Sequence, residues 1–97
     1  MIGALLGSEA GKSLDRTDMM YNQRAAEQAH WGKIGETITW TNPDTGHSGS
    51  ITPLRQGHNQ SGNYCREYQQ TITVGGRTET AHGTACLQSD GSWRVVS

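Results

Sequence analysis

The sequence predicts an α+β domain in which an N-terminal helix precedes an antiparallel β-sheet of about five strands, with a disulfide across two of the strands. Three observations support this fold class. A polar segment with helical spacing comes first, short alternating runs bounded by turn residues follow, and the two cysteines lie equally far before and after a diglycine. At 97 residues the chain is expected to form one small hydrophobic core.

The amino-acid composition limits the size of the hydrophobic core and the classes of partner that the protein can bind. Hydrophobic residues make up 32% of the chain and Phe is absent, so three Trp and three Tyr must supply much of the buried apolar surface. The formal charge is −1, and the basic residues are spread along the chain without a cluster. Because nucleic-acid binding needs a basic surface patch, no nucleic-acid partner is expected.

Residues 1–12 carry glycines spaced four apart, at Gly3, Gly7 and Gly11. In a helix this spacing places small residues on one face and lets two helix backbones approach closely. The alternative is a flexible, glycine-containing segment that leads into the domain. We interpret residues 1–12 as the end of a glycine-zipper segment that associates with a membrane or with itself. No apolar run reaches the roughly 20 residues of a membrane-spanning helix.

Residues 13–30 predict a helix without internal Pro or Gly, which either packs lightly on the sheet or projects as a connector. Ser13 or Thr17 is expected to cap its N-terminus. An aspartate in the first turn, Asp15 or Asp18, would interact favourably with the positive end of the helix dipole. The apolar positions expected on one face are Leu14, Met20, Tyr21, Ala25 and Ala29.

The antiparallel β domain is expected to cover residues 31–97. Its first strand, at 36–41, alternates Ile38 and Trp40 with threonines, and the turn residues Asn-Pro-Asp-Thr-Gly follow. The second strand, at about 48–53, would then return beside it and place Gly49 next to Trp40. The following residues, 54–62, lack periodicity and predict a polar surface loop.

The central hairpin consists of two β-type runs, Tyr64–Val74 and Arg77–Leu87, joined by Gly75-Gly76. A diglycine suits a type I′ turn, which needs two positive φ values. With that turn, Cys65 and Cys86 face each other at a non-hydrogen-bonded pair, where Cα atoms lie about 4.5 Å apart. This distance is compatible with a disulfide, which in turn indicates an oxidising compartment, the periplasm or the cell surface.

The same register sorts the hairpin side chains onto two faces. Tyr68 falls opposite Gly83, where its ring can cover the missing side chain. Arg66 is the exception on the apolar face, and we expect it to reach the sheet edge, stack on a tryptophan or serve in binding. A last strand at Trp93–Val96 completes the sheet. The apolar face is predicted to hold Tyr64, Tyr68, Ile72, Val74, Ala81, Ala85 and Leu87.

Motifs for catalysis are not found. The four histidines share no metal-ligand spacing, and Gly11-Lys12-Ser13 lacks the earlier glycine of a phosphate-binding loop. We therefore expect no catalytic residue, no metal, no cofactor and no nucleotide. The candidate binding surface consists of Trp31, Trp40, Arg66 and His58.

The run Cys65-Arg66-Glu67-Tyr68-Gln69-Gln70-Thr71 and the later Gly83-Thr84-Ala85-Cys86 and Asp90-Gly91-Ser92-Trp93 resemble the C-terminal domain of the 17 kDa surface antigens. The segment Trp40–Gly46 and the N-terminal glycines are similar to earlier parts of the same family. Its members are bacterial outer-membrane lipoproteins, which usually carry a signal peptide, an acylated cysteine and a longer glycine zipper.

The resemblance implies a non-enzymatic domain at the outer membrane, either periplasmic or surface-exposed. Its expected role is structural or interactive, with outer-membrane or envelope components as partners and possible self-association through the zipper. The alternative is a binding module for an envelope glycan, peptide or protein. Tryptophans buried against the sheet would favour the structural role, whereas an exposed tryptophan patch beside a groove would favour binding.

Overall fold

The structure, a computed structural model, describes residues 8–96 and confirms the predicted α+β fold. Two helices precede one antiparallel sheet whose strand order follows the chain, so each strand pairs with its sequence neighbour. The helices are α1 (Glu9–Lys12) and α2 (Arg16–Trp31). The strands are β1 (Ile38–Thr41), β2 (Ser48–His58), β3 (Tyr64–Val74), β4 (Arg77–Leu87) and β5 (Trp93–Val95).

The β3–β4 hairpin has the predicted register. Val74 pairs with Arg77 around Gly75 and Gly76, whose φ angles are 58° and 79°. The paired Cys65 and Cys86 form a disulfide with their Cα atoms 4.0 Å apart. Tyr68 lies opposite Gly83, and the Tyr68 side chain is buried, as the register predicts.

The prediction of a loop over residues 54–62 is wrong for its first half, because β2 continues to His58. Arg55 pairs with Glu67 after an irregularity between Pro53 and Arg55 that takes Leu54 out of the ladder. Backbone pairing with the long strand β3 therefore sustains a strand that shows no alternating pattern of its own.

The N-cap of α2 lies two residues away from either predicted cap. Its N-cap is Asp15, whose carboxylate accepts the backbone N–H of Asp18, while the Asp18 carboxylate accepts the N–H of Asp15. This reciprocal capping box satisfies two backbone donors that the helix itself cannot pair. Ser13 instead ends α1 as its C-cap.

The side of α2 that faces the sheet differs from the predicted apolar face. Ala25 and Ala29 are buried as expected, but Met20 is 48% exposed. Three polar residues, Asp18, Asn22 and His30, are fully buried along the same side of the helix. Small alanines let the helix backbone lie near the sheet, and Asp18 and Asn22 form hydrogen bonds to the β1–β2 hairpin and to the strands.

Asp18 joins the start of α2 to the β1–β2 hairpin. Its Oδ1 accepts hydrogen bonds from Asn42 Nδ2 and Thr45 Oγ1, each at 2.8 Å, and its Oδ2 lies 2.7 Å from His47 Nδ1. Burial raises the pKa of Asp18, but the hydrogen bonds, with His47 the largest contributor, outweigh it and hold the pKa at about 2. The buried carboxylate is therefore ionised and orders the hairpin loop.

Asn22 connects the middle of the helix to two strands. Its Oδ1 accepts hydrogen bonds from Trp40 Nε1 and from Gln70 Nε2, both at 3.1 Å. The Trp40 indole lies over Gly49 on β2, so close that a Cβ built on Gly49 would stand 2.5 Å from Trp40 Nε1 and 2.6 Å from the Thr71 carbonyl oxygen. A glycine at position 49 is thus required for this packing.

His30 lies in the last turn of α2 between two aromatic rings. Its ring centroid is 5.4 Å from that of Tyr68 and 5.0 Å from that of Trp93. Neither ring nitrogen has a hydrogen-bond partner among the described residues. Burial, with a smaller contribution from the positive charge of Arg66, lowers the pKa of His30 from 6.5 to about 4. The imidazole is therefore neutral at pH 7.

We expect Gly49→Ala to destabilise the domain by about 2–3 kcal/mol, because the added methyl displaces the Trp40 indole and breaks its bond to Asn22. Urea unfolding at pH 7 measures the change. Gly57→Ala is the matched control, since a Cβ at this β2 glycine meets nothing within 4 Å. Equal stabilities for the two variants would contradict the proposed contact.

We expect acid to destabilise the domain through His30. The unfolded chain takes up the proton below pH 6.5 and the folded chain only near pH 4, so stability is complete above pH 6.5 and falls as the pH drops between these values. The loss is about 2 kcal/mol from pH 7 to pH 5. Urea unfolding at both pH values should show a smaller loss in His30→Gln.

The matched control for this measurement is His82→Gln, which removes an exposed imidazole from the opposite face of the sheet. An unchanged pH dependence in His30→Gln would show that His30 does not carry the effect.

Candidate interaction surfaces

Four aromatic side chains meet at the end of the sheet near the C-terminus of α2. The ring centroid of Trp93 lies 5.4 Å from that of Trp31 and 5.8 Å from that of Tyr64, and the Tyr64 ring lies 5.8 Å from His58. We call Trp31, His58, Tyr64 and Trp93 the aromatic cluster. Trp31 is 57% exposed, so this cluster presents an aromatic surface to solvent.

Arg66 lies beneath the aromatic cluster and is buried. Its Nη1 donates to the Ala29 carbonyl at 3.0 Å, and its Nε donates to the Tyr64 hydroxyl oxygen at 2.7 Å, with the guanidinium 5.6 Å from the centre of the Tyr64 ring. This contact places the positive charge of Arg66 near the negative, C-terminal end of the α2 dipole, which is favourable. Arg66 thus ties the helix to β3 and stacks on a tyrosine rather than on a tryptophan.

The structure brings three of the four predicted binding residues together, since Trp31 and His58 belong to the aromatic cluster and Arg66 supports it. Trp40 lies elsewhere and is buried under α2, bonded to Asn22. Tyr64 and Trp93 were not among the predicted binding residues. Their pairing could have been anticipated, because β5 carries Trp93 to Leu87, the β4 residue at the edge of the predicted apolar face.

A groove of about 320 Å³ lies between α2 and the outer strand β1. Its wall on the helix side includes Tyr21, whose ring stacks on Trp40 with the centroids 6.4 Å apart. On the strand side it is lined by residues Ile38–Thr41 of β1. The remaining lining residues on α2 are Arg24, Ala25 and Gln28.

The face of the sheet turned away from α2 holds the disulfide and many hydroxyl side chains. A depression of about 390 Å³ lies beside Cys65 and Cys86, and the Arg55–Glu67 ion pair lies on its rim with its closest atoms 2.8 Å apart. Across this face Ser50 and Thr71 share a hydrogen bond of 2.6 Å. These contacts order the surface without burying a charge.

The glycines assigned to a zipper fall partly outside the described residues. Gly3 and Gly7 lie outside them, whereas Gly11 is buried in α1. Helix α1 contacts β3 and β4, and the Ala10 N–H donates to Glu79 Oε2 at 2.8 Å. The chain that follows the N-terminal glycines is therefore attached to the sheet at β4.

Within residues 8–96, no group of three His, Cys, Asp or Glu side chains could hold a metal ion, and no helix is long and apolar enough to span a membrane. The Asp18–His47 pair, which resembles the orienting part of a catalytic triad, was missed by sequence analysis. The two residues are far apart in sequence and meet only because α2 lies on the hairpin. The Asp18 contacts described above make the pair part of the helix–hairpin junction.

Comparison with known proteins gives a consistent assignment. The model of the family described as 17 kDa outer membrane surface antigen matches residues 27–94, from within α2 to β5. No solved structure matches the chain.

Curated relatives agree with this match. A 17 kDa surface antigen of Rickettsia bellii is 44% identical over 94 residues, covering 93% of this chain and 57% of the relative. Proteins of the same name from Rickettsia conorii and Rickettsia prowazekii are each 46% identical over 76 residues, covering 78% of this chain and 46% of each relative. The chain thus spans about half the length of these relatives. It belongs to the 17 kDa outer membrane surface antigen family.

Proposed function

We propose that this chain is the globular C-terminal part of an outer-membrane lipoprotein and acts there as a non-enzymatic structural or interaction domain. Family membership supports a location in the cell envelope. The glycine-rich residues 1–12 would end an upstream segment that associates with the membrane or with a second copy. The β domain would lie in the periplasm or at the cell surface.

The observation that carries this proposal is the disulfide between Cys65 and Cys86. Disulfides persist in oxidising compartments, which for a bacterium means the envelope and beyond. The bond joins the two long central strands of a sheet whose hydrophobic core is small, so it supplies stability where apolar burial is limited. An envelope location and the need for a covalent link are therefore consistent with each other.

The position of α1 supports an arrangement in which an upstream segment holds the domain at the membrane. The hydrogen bond between Ala10 and Glu79 attaches the start of the described chain to β4. A membrane anchor upstream would consequently hold the domain close to the membrane by its β4 side. The aromatic cluster and the β1 groove would stay accessible to other envelope components.

A binding module for an envelope ligand is the second candidate. Exposure of Trp31 in the aromatic cluster and the open groove beside β1 favour it. Burial of Trp40 against the sheet instead favours the structural role. The two roles are compatible in one domain, because the buried and exposed tryptophans lie at different places.

Fractionation of the bacterium that produces the full-length protein tests the location. We expect the protein in the outer-membrane fraction, with both thiols protected from alkylation until a reductant is added, because the envelope keeps the disulfide oxidised. Alkylation of intact cells followed by mass spectrometry gives the thiol state. Recovery in the cytosol with alkylated cysteines would refute the proposal.

We expect the double variant Cys65→Ser, Cys86→Ser to lose about 2–3 kcal/mol of unfolding free energy, less than loop closure alone predicts because the hairpin already restricts the unfolded chain. Urea unfolding measures the loss. The matched control is Thr73→Ser, Thr78→Ser, which changes another pair of the same hairpin and keeps its shared hydroxyl hydrogen bond. Equal stability of the two double variants would contradict a stabilising role for the disulfide.

A further inference from the structure

We propose that the groove between β1 and α2 binds an extended acidic peptide segment of another protein, which adds to the sheet as a further strand beside β1. This inference builds on the interaction role proposed above and names the partner by its chemistry. It depends on the free backbone groups of β1, on the groove next to them and on the charge at the rim.

The backbone groups of β1 that face outward are those of Thr39 and Thr41. The Asn42 N–H donates to the His47 carbonyl at 2.9 Å, which makes Asn42 and His47 a hydrogen-bonded pair. Pairs alternate along an antiparallel ladder, so Thr39 and Thr41, opposite Ser50 and Ser48, direct their N–H and C=O groups away from β2. In the described part of the chain no strand pairs with this side of β1.

The groove lies where alternate side chains of an added strand would point. Successive side chains of a strand face opposite sides of the sheet, so every second one would enter the space between β1 and α2. The small side chain of Ala25 leaves room there, and the stacked rings of Tyr21 and Trp40 provide an apolar wall. The other side chains would lie beside the threonines on the opposite face.

Charge at the rim favours an acidic peptide. Arg24 is the one charged residue among those that line the groove. It is exposed on α2 and forms no ion pair within residues 8–96. A carboxylate on the bound segment would provide the opposite charge and would select acidic over basic peptides.

The other free edges of the sheet are protected in ways that β1 is not. The second half of β2 has Pro53, a bulge and the charged Arg55, and β5 is only three residues long and carries Arg94. Strand β4, which β5 pairs only at its end, carries Arg77 and Glu79 along its free outer edge, and Glu79 accepts a hydrogen bond from α1. Bulges, prolines, charges and short length all discourage strand addition. Strand β1 contains no bulge, proline or charged residue, and α2 beside it forms a groove. Extended peptides bind in this manner at other exposed sheet edges.

Titration of the 97-residue chain with a capped synthetic octapeptide tests the proposal. The probe alternates valine with threonine and carries one glutamate in place of a central valine, so that the carboxylate enters the groove on the side of Arg24. We expect saturable binding by calorimetry, with amide chemical-shift changes centred on Thr39 and Thr41. The same peptide with N-methylated amides on its pairing edge should not bind, because it cannot donate to the β1 carbonyls.

Three variants separate strand addition from other contacts. Thr39→Pro removes an outward N–H while leaving the pairs with β2 intact, and it should abolish binding, whereas Thr39→Val keeps the N–H and should bind. Arg24→Glu should weaken binding of the glutamate peptide by about threefold to fivefold. A peptide with lysine at that position should recover the loss in this variant.

Several outcomes would overturn the proposal. It fails if the octapeptide does not bind, if the N-methylated peptide binds equally well, or if Thr39→Pro retains binding. Concentration-dependent dimerisation that Thr39→Pro abolishes would instead assign the edge to a second copy of the chain. None of these results bears on the envelope location, which the fractionation and thiol measurements test separately.

Discussion

The β3–β4 hairpin is the constraint on which the rest of the structure depends. Two glycines in left-handed conformation form a tight turn, and this turn sets which residues pair along both strands. The register brings two sulfur atoms into bonding distance on one face and aligns Tyr68 with Gly83 on the other. A shift of one residue would reverse every side chain of a strand and lose both arrangements.

Polar contacts, more than apolar area, define how α2 sits on the sheet. A helix whose buried side consists mainly of alanines has little apolar surface to position it. Asp18 fixes its first turn to the β1–β2 hairpin, Asn22 fixes its middle to Trp40 and Gln70, and Arg66 fixes its last turn to β3. Because buried polar groups are costly unless paired, these contacts favour one orientation of the helix. That orientation creates both the aromatic cluster and the groove beside β1.

Local sequence rules accounted for the turns, the hairpin registers and the disulfide. Such features depend on neighbouring residues, so a diglycine or an Asn-Pro-Asp-Thr-Gly segment is sufficient to predict them. These rules failed where the structure of a segment depends on residues that are distant in the sequence. Residues 54–58 form a strand because β3 offers backbone partners, and the N-cap lies at Asp15 because Asp18 is also held by the hairpin. The polar side of α2 could not be predicted, since its partners lie on strands far along the chain.

The candidate interaction surfaces were likewise predictable in part from the sequence and in part only from the fold. Residue chemistry predicts a binding role for Trp31, His58 and Arg66, which converge at one end of the sheet, but only the fold shows that Tyr64 and Trp93 complete the cluster. The same chemistry predicts a binding role for Trp40, which is instead a core residue whose indole N–H bonds to the buried Asn22. Residue type alone does not separate a binding tryptophan from a structural one.

Proton NMR of the oxidised chain tests the central hairpin most directly. In the described register, Thr71 and Thr80 form a non-hydrogen-bonded pair, as do Thr73 and Thr78, so strong nuclear Overhauser effects are expected between their Hα protons. A third Hα–Hα effect should join Cys65 and Cys86, which form another pair of this kind. Hα contacts shifted by one residue, such as Thr71 to Glu79, would contradict the register and with it the account of the disulfide, the helix orientation and the surfaces that follow from it.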